Sequence, residues 1–351
     1  MRLIRRSLRP LPILAALLAL PAVPLHAAPL SRFAAAPLSR FTAAPLSRFA
    51  AAPLSRFAAA PQDSDSDQPP GLYLKGAPVV PAVLRGLGVG TLMASAGLLA
   101  LLAWLLPTGG VAPRRAGTAL AWVAVGVLVL HLLAWMLNAS FDQRLDADAL
   151  ALLTSTSTGH TEVVRIALAL LAALAATMVR RPGAAAVLGL GALVASAYVG
   201  HAASLSTDWS LPAKALHLAA GAVWLGGLLW LLLADPTLPE HSFGVGRVSA
   251  AALASVVVVT ASGLLAALLF LPTWRDLFHS DYGSVAIAKA VGVGVLVLFG
   301  AYHKFVLVPR AAEPATADKL RRSVRYEVLV MVFVILLGGL LAYISPPEAG
   351  A

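Results

Sequence analysis

Residues 200–231 read GHAASLSTDWSLPAKALHLAAGAVWLGGLLWL. A short polar loop separates two apolar runs, and one histidine, His201 or His217, stands just inside each run. An ionisable side chain is costly in hydrocarbon. The second run, 212–233, has the length that carries a helix across a bilayer core. The stretch therefore reads as a hairpin of two membrane helices with an imidazole at the same depth on each arm.

Composition extends that reading to the whole chain. Hydrophobic residues make up 59% and charged residues 12% of the 351 positions, where a soluble domain is nearer half apolar and a quarter charged. Runs of the length of 212–233 recur, at about 81–106, 116–138, 160–179, 183–204, 248–271, 284–308 and 325–345. The expected fold class is an all-α polytopic membrane protein with eight transmembrane helices. The net charge of +10 does not mark a nucleic-acid surface, because its cations sit in the leader, in a repeat and in short loops. The absence of cysteine excludes disulfides, thiolate metal sites and cysteine nucleophiles.

The N-terminal part is of a different kind. Residues 1–28 have the charged start, apolar middle and small-residue end of an export signal. The octapeptide APLSRFAA follows four times from Ala28, with Thr42 as its one deviation, and an acidic linker comes next. A disordered arm over 29–79 is expected. An N-terminal four-helix half at 80–205, a C-terminal half at 206–346 and a tail at 347–351 complete the division. With an exported N-terminus, the loops holding Arg114, Arg115, Arg180, Arg181, Arg247, Arg310, Lys319, Arg321 and Arg322 fall in the cytoplasm, as the positive-inside rule requires. Both ends of the mature chain then lie outside the membrane.

An echo links the halves. TGHTEVVR (158–165) opens the third helix and YGSVAIAK (282–289) the seventh, 124 residues later, each with a glycine six residues before a cation. Four helices per half preserve orientation, which predicts a parallel repeat.

On this topology His131, His160, His201, His217 and His279 lie on the outer side, and His241 and His303 on the cytoplasmic side. Ser210 and Pro212 have the character of a helix start. At ~1.5 Å rise per residue, His201 and His217 then lie within about 5–8 Å of the outer boundary. Imidazole suits copper, zinc, iron and nickel, and thioether selects Cu(I). The candidate metal ligands are His201 and His217, with His131, His160, Met93 and Met136 as further members. Glu162 and Arg165, three apart on one helix, can pair. Lys289 has no acid within a turn and needs a partner from another helix. These three are the candidate polar interior. Ala219, Ala220, Gly221, Ala222, Gly226 and Gly227 form a small-residue surface that lets helices approach closely.

LHLAAGAVWLGGLLWL (216–231), preceded by GHAAS, resembles the copper-resistance protein D (CopD) family of bacterial inner-membrane proteins. The segments YGSVAIAKAVGVGVLVLFGAYHKFVLVPR (282–310) and LRRSVRYEVLVMVFVILLGGLLAYISP (320–346) are similar to the end of the same domain. The resemblance implies copper uptake and homeostasis, with copper as cargo and a periplasmic CopC-type copper carrier as partner. The chain departs from it in having few methionines and no His/Met-rich domain ahead of the helices. No enzymatic activity is expected, and no phosphate-binding GxxxxGK[ST] loop is present. The competing expectation is a b-type haem protein using the same histidines as axial ligands, for example His131 with His217.

Overall fold

The structure, a computed structural model, describes residues 72–106, 110–140, 144–199, 209–237, 240–271, 273–311 and 313–347. The export signal, the octapeptide repeat, most of the linker and His201 lie outside these residues. The described part is all-α apart from one small hairpin. The helices are α1 (Val79–Ala100), α2 (Val111–Ala139), α3 (Ala147–Ser155), α4 (Ser157–Leu174), α5 (Pro182–Ala197), α6 (Ser210–Leu233), α7 (Glu240–Phe270), α8 (Trp274–His279), α9 (Asp281–Tyr302) and α10 (Pro314–Leu341). Single π turns continue α1 through Leu105, α4 through Val179 and α9 from His303 to Leu307. Among the described residues seven helices are long and apolar enough to span a membrane, and α5 is a shorter apolar helix of 16 residues.

Several boundaries differ from expectation. The fourth segment, expected over 183–204, is helical only to Ala197 within the described residues. The last helix starts at Pro314, well before 325, because Pro suits a first helical turn and the charged stretch after it continues the helix. An apolar run alone misses such an extension. α6 begins where Ser210 and Pro212 place it, but Trp209 is the capping position and Ser210 the first helical residue. Tyr73–Leu74 (β1) pairs antiparallel with Ala77–Pro78 (β2), inside the span expected to be disordered. Lys75 and Gly76 both have positive φ, the turn that matches strand twist in two-residue hairpins. Lys75 Nζ bonds Asp281 Oδ1 at 2.8 Å and Ser284 Oγ at 2.7 Å, tying the hairpin to the start of α9.

Helices α1 and α6 form the centre. In their most apolar windows 72% and 67% of residues are buried within the protein, against 11% for α7. The α1–α6 crossing is backbone against backbone. A β-carbon on Gly97 would run into the Ala222 carbonyl, and one on Gly226 into the backbone of Gly97. The small-residue surface of the sequence thus meets α1, as close packing without a hydrophobic drive requires. α10 crosses the other side of α1, with Gly86 against Leu336 and Gly339 against Ala82. α5 packs on α1 where Gly189 faces Ala96. Along α7, Leu253, Val257, Leu264 and Leu268 are each more than half exposed, an apolar face suited to lipid.

The echo has a local structural counterpart. Thr156 caps α4 by accepting from Gly159 N, and Ser280 caps α9 by accepting from Gly283 N, both at 2.9 Å. Each cap follows a short helix, α3 or α8, and each glycine abuts that helix's last carbonyls. Cap, glycine and cation all repeat at the same offset of 124.

Candidate functional site

Two clusters of polar side chains within the bundle are linked through α6. In the first, α4 turns one face inward, so Glu162 and Arg165 are fully buried, three residues apart, and ion-paired. The anticipated pair forms. Arg165 Nη2 also donates to His131 Nδ1 at 3.0 Å. Guanidinium has donors only, so that ring nitrogen is the acceptor. His131 Nε2–H therefore donates to Tyr343 Oη at 3.0 Å. Burial pushes the Tyr343 phenol up to about 12, so its hydroxyl keeps its proton. Both ring nitrogens of His131 are thus engaged, and the side chain is 1% exposed.

Beside this triad, Arg85 Nη2 and Lys214 Nζ both donate to the Val199 carbonyl, at 2.9 and 2.7 Å. Lys289 lies near enough for its charge to act on Lys214 and His217. Its Nζ rests over Gly338 of α10, 3.6 Å from where a β-carbon there would stand. Among the described residues no acid pairs with it. The interior on this side therefore carries four cations and one carboxylate, Glu162, among the described residues.

His217 is half-buried on α6. Its Nδ1 is 2.9 Å from Ser262 Oγ on α7, and Ser262 Oγ donates to the Val258 carbonyl at 2.6 Å. The hydroxyl proton is therefore used, and its oxygen accepts from Nδ1–H. In the neutral ring Nε2 then keeps its lone pair, the form in which imidazole ligates a metal. One turn on, Gly221 leaves room for Met93 of α1, whose Cε sits 2.5 Å from the position of an added β-carbon. Met93 is 5% exposed. His217 and the Met93 thioether thus share one face of α6, whereas Met136 is buried on α2 and His160 is exposed at the start of α4. No group of three or more His, Asp or Glu side chains suited to a metal ion occurs among the described residues.

Sequence reasoning passed over the second cluster. Trp224, seven residues after His217 on α6, donates from Nε1 to Glu327 Oε1 of α10 at 3.1 Å. Glu327 Oε2 is 3.0 Å from His303 Nδ1, and His303 Nε2 is 2.7 Å from Ser323 Oγ. Glu327 and His303 are 1% and 7% exposed. Glu327 escaped notice because an apolar run starting near 325 puts it at a helix end, in the interfacial region. With α10 beginning at Pro314, it lies near mid-helix. Arg85, five residues inside the first apolar run, was passed over in the same way.

The fold and its interior define a polytopic helical membrane protein whose buried polar groups bond from helix to helix inside the bundle. The family model described as copper resistance protein D matches residues 245–341, and that described as copper resistance protein D-like, N-terminal domain, matches 77–211. The chain belongs to the copper resistance protein D family. It is 29% identical over 167 residues to the copper transport protein CutJ of Bacillus subtilis (strain 168). That match covers 45% of this chain and 30% of the relative's length. No solved structure matches.

Proposed function

We propose that the protein conducts copper across the bacterial inner membrane, accepting it on the periplasmic side at His217. The observation carrying this reading is the setting of that residue. Ser262 fixes the ring through Nδ1, Nε2 keeps its lone pair, and the Met93 thioether lies one turn deeper on the same face. Imidazole followed by thioether suits Cu(I). Family membership and the relative, a copper transport protein, support the same cargo. His201, beyond the end of α5 in sequence, completes the entry pair in this proposal, and a CopC-type carrier delivers the ion. His131, with both nitrogens engaged, holds Arg165 in place; this also removes the His131–His217 pairing that haem ligation would use. Glu162 and Arg165 set the polar wall beside the entry.

The test is anaerobic Cu(I) titration of the purified full-length protein against a chromogenic competitor. His201→Ala and His217→Ala are each expected to weaken the tightest site at least tenfold, and the double variant to add little. Additive losses would show two independent sites and refute a shared ion.

A further inference from the structure

We infer that His303 and Glu327 form a second copper station, deeper in the bundle than His217. The inference rests on copper being the cargo and goes beyond the entry site. Three observations carry it. First, the Glu327 carboxylate is hydrogen-bonded through one oxygen only. Oε1 accepts from the Trp224 indole, while Oε2 is buried and has no hydrogen-bond partner. A buried carboxylate oxygen left in that state is expensive, and a bound cation removes the expense. Second, the atom nearest to it is a ligand. His303 Nδ1 stands 3.0 Å from Oε2, a spacing at which one ion can touch both, yet the two do not make an aligned hydrogen bond. Ser323 Oγ fixes the other face of the ring at 2.7 Å. Third, the two stations lie in line. His217, Gly221 and Trp224 fall on one face of α6, since residues three, four and seven apart stack. The Met93 thioether fills the gap at Gly221. Seven residues separate the stations by about 10 Å along the helix.

The local backbone is in keeping with a binding role. His303 opens the π turn that continues α9, and such turns are frequent at functional sites. Met331, one turn beyond Glu327 on α10 and 5% exposed, is the candidate third donor. The carboxylate supplies the negative charge that a cation needs where water is scarce. An ion leaving His217 would pass the Met93 sulfur and arrive where imidazole and carboxylate converge.

The experiment is copper stoichiometry on the full-length protein in detergent, loaded anaerobically with Cu(I), desalted and analysed for metal. Wild type is expected to retain two ions per chain, and Glu327→Gln and His303→Gln one each, with the remaining ion lost on adding His217→Ala. His217→Ala alone should keep one. Thermal unfolding of each variant is measured alongside. If Glu327→Gln is too unstable to assay, His303→Gln decides by itself. Two ions retained in both inner variants would overturn the station and leave the pair a structural ion pair. One ion in wild type, lost with His217→Ala, would also overturn it while sparing the entry site. No copper in wild type would sink both readings.

Discussion

Gly97→Val is expected to prevent formation of a stable bundle. A β-carbon at that position lands on the Ala222 carbonyl, and the opposing surface is Gly226, itself against the Gly97 backbone. Nothing there is the end of a flexible side chain that could swing aside. Overpacking in ordinary cores costs about 1–3 kcal/mol; here the two central helices must separate, so the loss should be larger. It should appear as aggregation on size exclusion in mild detergent, or as a fall of 10 °C or more in unfolding temperature, by order of magnitude. Gly126→Ala is the matched control. Nothing lies within 4 Å of a β-carbon added there, and alanine favours helix over glycine by about 1 kcal/mol. That variant should be as stable as wild type or more so. A monodisperse, equally stable Gly97→Val protein would mean that α1 and α6 do not cross as described.

Glu162→Gln should have the second-largest effect. Glu162 and Arg165 are both fully buried, and the glutamate is the only acid paired with that arginine among the described residues. Removing one member of a buried pair typically costs ~3–5 kcal/mol, because the remaining charge is left uncompensated. Arg165 also holds His131, and His131 reaches Tyr343, so the loss should spread from α4 to the far end of α10. Replacing both partners at once, Glu162→Leu with Arg165→Met, should recover most of the stability, since an apolar pair of similar volume can match a buried ion pair. Unfolding temperatures of the single and double variants check this. Equal damage from both would assign the effect to packing instead of charge.

What could be read from residues alone follows from which forces are local. Hydrophobic run length and loop charge depend on the sequence near each residue, so the helices and their class were legible. The Glu162–Arg165 pair was legible because both partners ride one helix turn. The repeat was legible because in each copy the glycine and the cation stand six residues apart on one helix; the Thr156 and Ser280 caps, three residues before those glycines, emerged only with the structure. Pairings between helices were not. Nothing near Glu327 announces Trp224, 103 positions earlier, and nothing near His131 announces Tyr343, 212 positions later. The same limit applies to His131, whose contacts with Arg165 and Tyr343 are set by packing between helices. Short helices such as α3 and α8 lay below the length at which apolar periodicity gives a signal.

The frame repeated at an offset of 124 has a consequence for how labour is divided between the two copies. Where the first has His131, Glu162 and Arg165, the corresponding positions of the second are Ser255, Ala286 and Lys289. Where the first has Met93, the second has His217. One copy has kept a neutralised, interlocked triad. The other holds a cation with no acid paired to it among the described residues, and an imidazole with an unshared electron pair. The two frames are therefore chemically unequal: the first ties its polar side chains to one another, and the second leaves them open. On the proposed copper path, an ion would follow the open frame alone.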